Sequence, residues 1–85
     1  MGSKTYEGIR FAAYTEDHEP AHVHGFCEGI EVVLEIDRVA DEIRLAQRRD
    51  RVKPRNAKRS AVSRIVRVAN QYSDELYDLW KAARP

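Results

Sequence analysis

The stretch His22-Val23-His24-Gly25-Phe26-Cys27-Glu28-Gly29-Ile30-Glu31-Val32-Val33-Leu34-Glu35-Ile36 decides how this chain folds. Its second half is the cleanest strand pattern in the sequence: Ile30, Val32, Leu34 and Ile36 alternate with Glu31, Val33 and Glu35. The first half carries the same period of two, with Val23, Gly25 and Cys27 on one side and His22, His24 and Phe26 on the other. Glu28-Gly29 between them reads as a two-residue hairpin loop. That loop sets the register: Cys27 opposes Ile30, Gly25 opposes Val32 and Val23 opposes Leu34 on the core face. The other face then pairs His24 with Val33 and His22 with Glu35, so that two imidazoles and a carboxylate share one surface.

Upstream, Ile9 to Tyr14 alternates as a strand, with Ile9, Phe11 and Ala13 facing the core and Arg10, Ala12 and Tyr14 facing away. Thr15 to Pro20 is polar and ends in a proline that biases Glu19 towards an extended shape, which places His18 on a loop. Downstream, residues 37–41 read as a connection. Glu42 to Ala46 reads as a short fourth strand with Ile43 and Leu45 inward and Arg44 outward, and Gln47 to Lys53 as a basic loop.

From Pro54 nothing breaks a helix until Pro85, and Pro54 itself suits a first-turn position. Val62, Ile65, Ala69, Tyr72, Leu76, Leu79 and Trp80 recur at helical spacing and form an apolar stripe for the sheet's core face. The expected architecture is a single α+β domain. A small antiparallel sheet of three to four strands, over about residues 6–47, is packed on one face by one long C-terminal helix over about residues 54–82.

Composition bounds the function classes. Eighty-five residues, 42% hydrophobic and 34% charged, describe a folded domain with a modest core and a highly charged exterior. Cys27 is the only cysteine, so no internal disulfide forms, and it is expected inward as a small hydrophobe. No apolar run approaches the roughly 18 residues needed to span a bilayer, and the start is not signal-like; the expected location is the cytoplasm, without a membrane partner. Met1-Gly2-Ser3 reads as an expression scar and is set aside.

The net charge of +1 conceals a segregation. Residues 1–43 hold three basic and ten acidic side chains, whereas residues 44–67 hold ten basic and one acidic. The basic segment reads either as a local field that attracts phosphate or as a solvated basic face balanced by an acidic one on the same or a neighbouring chain. Placed on one uninterrupted helix, Lys53, Arg55, Lys58 and Arg59 near the start and Asp74, Glu75 and Asp78 near the end oppose the macrodipole at both termini.

Asp17-His18-Glu19-Pro20-Ala21-His22-Val23-His24 gathers all three histidines of the chain within seven positions, and Leu76-x-x-x-Trp80 closes the C-terminal helix. On these residues the sequence resembles, over roughly residues 6–82, a bacterial family known as domain of unknown function four-one-six-zero. The family's hallmark is similar to Asp-His-x-Pro-Pro-His-x-His, from which this chain departs at Ala21. The resemblance implies a small protein encoded beside another short reading frame, of a type proposed as the toxin-like half of toxin–antitoxin modules. An antitoxin-like chain, or a second copy of this one, is the protein partner it implies.

Three chemistries suit the residues. Metal-free RNA cleavage needs a base, an acid and cations, for which His22, His24 and His18 are the candidate proton carriers and Glu35 the group that orients an imidazole. Arg44, Arg48, Arg49, Arg51 and Arg55 are the candidate phosphate holders, and Tyr14 a base-stacking side chain. A zinc site uses His18, His22 and His24 as ligands with Asp17 as ligand or support. In the third reading the histidines only organise a non-enzymatic protein-binding domain.

Overall fold

A computed structural model describes residues 2–14 and 20–83. In chain order its elements are β1 (Gly2–Tyr6), β2 (Ile9–Ala13), β3 (His22–Cys27), β4 (Ile30–Asp37), β5 (Glu42–Leu45), β6 (Val52–Lys53), α1 (Arg59–Gln71) and α2 (Ser73–Ala83). The strands form one antiparallel sheet in the order β1-β2-β3-β4-β5, with β6 also on β4. Both helices cover the same face, giving the expected α+β class.

Glu28 (φ 48°) and Gly29 (φ 80°) both take left-handed backbone, as a tight primed turn between twisted strands requires. The hairpin register follows: Cys27 pairs with Ile30, Gly25 with Val32, His24 with Val33 and His22 with Glu35. Glu7 (φ 51°) and Gly8 (φ 81°) repeat the turn between β1 and β2. Because of this second Glu-Gly hairpin, the sheet begins at Gly2 and has six strands rather than three to four.

The basic segment is not simply a loop. Val33 accepts from the Ala46 N–H at 2.9 Å and donates to the Arg51 carbonyl at 2.8 Å, so one residue of β4 bonds both sides of an outward excursion, residues 47–50. The chain leaves β4's edge after β5, bulges, and returns as β6, where Val52 pairs with Val32 and Lys53 with Glu31. This pairing keeps residues 52 and 53 extended and delays the helix. Residues 54–57 then turn, with Ala57 N–H donating to the Pro54 carbonyl at 3.0 Å, and α1 begins at Arg59 rather than at Pro54.

Nor is the helix single. At Tyr72 (φ −118°, ψ 33°) α1 ends and α2 starts one residue later. Tyr72 stacks on Tyr6 of β1, with ring centroids 4.1 Å apart and planes 12° from parallel, and its hydroxyl donates to Glu7 at 3.4 Å. The break lets α1 cover β4 and β5 while α2 covers β1, β2 and β3. Most of the expected stripe holds the core: Ile65, Ala69, Leu76, Leu79 and Trp80, joined by Val68, are buried against Ile9, Phe11, Val23, Val32, Leu34 and Ile43, while Tyr72 packs at its margin and Val62 is half-buried outside it. The break also reverses one electrostatic expectation. Asp74 and Glu75 lie in the first turn of α2 and Lys81 in its last, which the macrodipole favours.

Two side chains fasten these layers. Asn70 of α1 accepts from the Ile43 N–H at 2.9 Å and donates to the Ile43 carbonyl at 2.8 Å, satisfying the outward backbone of β5 as a neighbouring strand would. Arg64 donates to the Glu7 carbonyl at 2.6 Å and reaches Cys27 Sγ at 3.8 Å. Cys27 is half-buried beside it rather than wholly inside. No helix is long and apolar enough to cross a membrane.

Candidate functional site

The sheet face away from the helices is built in rows that cross the strands. Arg10, Phe26 and Glu31 make the first, Ala12, His24 and Val33 the second, and His22, Glu35 and Arg44 the third. The period of two in each strand puts these side chains on one surface. The middle row is the tightest: Ala12 is fully buried and Val33 4% exposed even though no helix covers them.

His24 lies between these two residues with its side chain 14% exposed. Its Nδ1 is 3.3 Å from Glu31 Oε2, a partner in the adjoining row reached diagonally across β3 and β4. Tyr14 packs edge-on against the His24 ring at 5.0 Å between centroids. His24 Nε2 is shielded from solvent. On the first row Arg10 sits over the Phe26 ring, 4.4 Å from its centroid.

His22 is the more accessible of the two. Its ring lies 5.5 Å from that of His24 at a steep angle, and its Nδ1 is 3.0 Å from the Pro20 carbonyl oxygen. A carbonyl only accepts, so Nδ1 carries the hydrogen and a neutral His22 has its lone pair on Nε2. The Pro20 carbonyl therefore selects the tautomer of His22.

Glu35, opposite His22, accepts from the Gln47 N–H at 3.0 Å and lies 3.8 Å from Arg44. Arg44 in turn donates to Asp37 at 2.9 Å and approaches Glu42 at 3.5 Å. Asp37 also accepts from the N–H groups of Ala40 and Val39. The Ala40 bond foremost, and then Arg44, hold its carboxyl below the usual carboxylate range. Arg44 is thus committed to three carboxylates beside His22. A cavity of about 360 Å³ adjoins this end of the face, lined by Pro20, Glu35, Asp37, Arg38 and Arg44.

The remaining arginines divide. Arg48 makes a two-pronged pair with Asp50, at 2.6 and 3.2 Å. Arg49, Arg51 and Arg55 instead line a cavity of about 520 Å³ together with Arg59, over an apolar floor that includes Leu45 and Val62. Leu45 and Val62 belong to the helix side of the sheet, so this cavity lies around the β5–β6 edge from the histidines. Among the described residues none of these four arginines is in an ion pair.

Of the expected site residues, the fold therefore brings His22, His24, Tyr14, Glu35 and Arg44 together on one face and gathers Arg49, Arg51 and Arg55 elsewhere. Glu31 and Arg59 are additions. Glu31 escapes a straight-across reading of the hairpin because its contact with His24 is diagonal, and Arg59 is brought in only by the late start of α1. Asp17 and His18 lie outside the described residues. Among those described, no group of three His, Cys, Asp or Glu side chains is placed to hold a metal ion.

Fold and face together define a small α+β domain with histidines on an open sheet surface. The chain belongs to the family described as Domain of unknown function (DUF4160), whose sequence profile matches residues 8–81. No curated protein and no solved structure matches it.

Proposed function

We propose that this chain is an RNA-directed, toxin-like protein that cleaves RNA without a metal, with His22 as its general base. The observation that carries the reading is the 3.0 Å bond from His22 Nδ1 to the Pro20 carbonyl, which leaves Nε2 as the proton acceptor. In the proposed step Nε2 removes the 2′-hydroxyl proton and O2′ attacks the adjacent phosphorus. The P–O5′ bond then breaks, giving a 2′,3′-cyclic phosphate and a 5′-hydroxyl once O5′ takes a proton. His24 is a positioning residue in this scheme, since its Nδ1 is engaged by Glu31 and its Nε2 is shielded. The acid role falls to His18. Tyr14 buttresses His24, and Glu35 holds the Gln47 backbone rather than an imidazole.

The His24–Glu31 pair also favours a second reading, in which the histidines only tie β3 to β4 in a non-enzymatic module for an antitoxin-like chain or a second copy. The two readings separate with His22→Ala, His18→Ala and His24→Ala, assayed for RNA cleavage, for growth arrest on expression and by thermal melting. Catalysis requires that His22→Ala lose cleavage and arrest while melting as the parent does. Cleavage that survives this substitution sinks the role of His22. Loss of folding in His22→Ala supports the structural reading. Metal analysis of untagged protein accompanies the assay: about one zinc per chain would replace the metal-free scheme with a zinc-dependent one.

A further inference from the structure

We propose that the cavity of Arg49, Arg51, Arg55 and Arg59 is a phosphate-binding site that grips the backbone of single-stranded RNA at a distance from the histidine face. It rests on the RNA-directed reading for the polymer, and on the cavity's own chemistry for the phosphate.

Three features of the molecule support this. The first is charge without compensation. Arg44 has three carboxylates and Arg48 has Asp50, yet the four cavity arginines have no ion-pair partner among the described residues. Four like charges around one hollow repel each other, and the first turn of α1 contributes no acidic side chain to relieve them. An anion that enters the hollow removes that repulsion. The second is the residue type. Planar guanidinium groups present paired donors to a tetrahedral phosphate, a geometry that ammonium groups lack.

The third is shape. A hollow of about 520 Å³ falls within the range of roughly 300–1,000 Å³ typical of small-ligand pockets. Its apolar floor of Leu45, Val52, Ala57 and Val62 offers a surface for a sugar or base. A free mononucleotide would have no reason to need the histidine face, whereas a strand serves both. His22, Glu35 and Arg44 stand on adjacent strands, so His22 is two strand spacings, roughly 10 Å, from the β5 edge. A single strand crossing that edge reaches the hollow a few nucleotides from His22. The phosphates held by the arginines are then not the one that is cleaved.

The test uses a 5′-fluorescein single-stranded RNA dodecamer with 2′-O-methyl groups, which cannot be cleaved, and reads anisotropy between 50 and 200 mM salt. Three or four bound phosphates predict a slope of log K against log salt of about −2 to −3, from roughly −0.7 per phosphate. Arg55→Gln/Arg59→Gln should reduce that slope by about 1.4 and weaken binding about tenfold or more at 50 mM salt. Arg49→Gln/Arg51→Gln should do the same from the other wall of the hollow. All four side chains are exposed, and melting curves confirm that the variants fold. Binding and cleavage are read separately, so a parent protein that binds with this slope but does not cleave leaves this site standing and sinks only the catalytic reading. The proposal is overturned if the parent fails to bind, if both double variants keep its slope, or if poly-glutamate competes as well as RNA does. The last result would assign the hollow to an acidic protein partner.

Discussion

Replacing Gly25 with alanine tests how closely β3, the strand of both histidines, is held beneath α1. A Cβ at Gly25 would stand 2.9 Å from Ile65 Cγ2 and 3.3 Å from Phe11 Cε1, where ordinary contacts run from 3.4 to 4 Å. Both neighbours are buried, and Cγ2 is fixed to the branched Cβ of Ile65, so the strand and helix must part by about half an ångström. Overpacking of this kind costs about 1–3 kcal/mol. The loss of glycine's freedom in the unfolded chain returns about 0.4–1 kcal/mol. The net destabilisation is then on the order of 1–2 kcal/mol, a fall in Tm of about 4–16 °C for a domain of this size. Differential scanning calorimetry measures it directly. Adding Ile65→Leu moves the branch off Cβ and should recover part of the loss, with a coupling of at least about 0.5 kcal/mol. A Gly25→Ala protein that melts at or above the parent, or a double variant that is strictly additive, would refute the reasoning.

Two further outcomes are expected. Asn70→Ala removes the bonds to Ile43 N–H and carbonyl, which should cost about 1–3 kcal/mol and expose the Ile43 amide to hydrogen exchange; unchanged protection of that amide would contradict the role given to Asn70. Asp37, whose carboxyl is held below its ordinary range, contributes stability that is present above the unfolded value of about 4 and lost as pH falls through its lower folded value. Asp37→Ala should therefore be less stable than the parent at pH 6 and converge on it in strong acid, and a gap that persists at low pH in urea titrations would refute the assignment.

What the sequence discloses depends on whether the signal is local. The β3–β4 register was legible because two period-two strands flank a turn that only one short loop geometry satisfies. The identical Glu7-Gly8 turn carried the same information, but β1 is polar and largely exposed, so alternation could not mark it. The division at Tyr72 was hidden because apolar spacing continues across it without glycine or proline; Ser73-Asp74-Glu75, a favourable helix start, is its only local trace. Residues 52 and 53 pair with a strand some twenty positions away, which no periodicity records. The site was legible to the same degree. Period two placed His22, His24, Glu35 and Arg44 on one face. It could not tell that Arg48 is tied to Asp50 while Arg49, Arg51 and Arg55 are left around one hollow, because that sorting arises from the bulge at residues 47–50.

The amide of Asn70 also limits how copies of this chain can join. A sheet grows by adding strands at its edges, and a side chain that occupies the outward N–H and carbonyl of Ile43 denies β5 to an incoming strand. Strand β1, at the opposite side, has no such cover among the described residues. An incoming strand is therefore turned away at Ile43 and met by open backbone along β1, so the two sides of the sheet differ in what they admit.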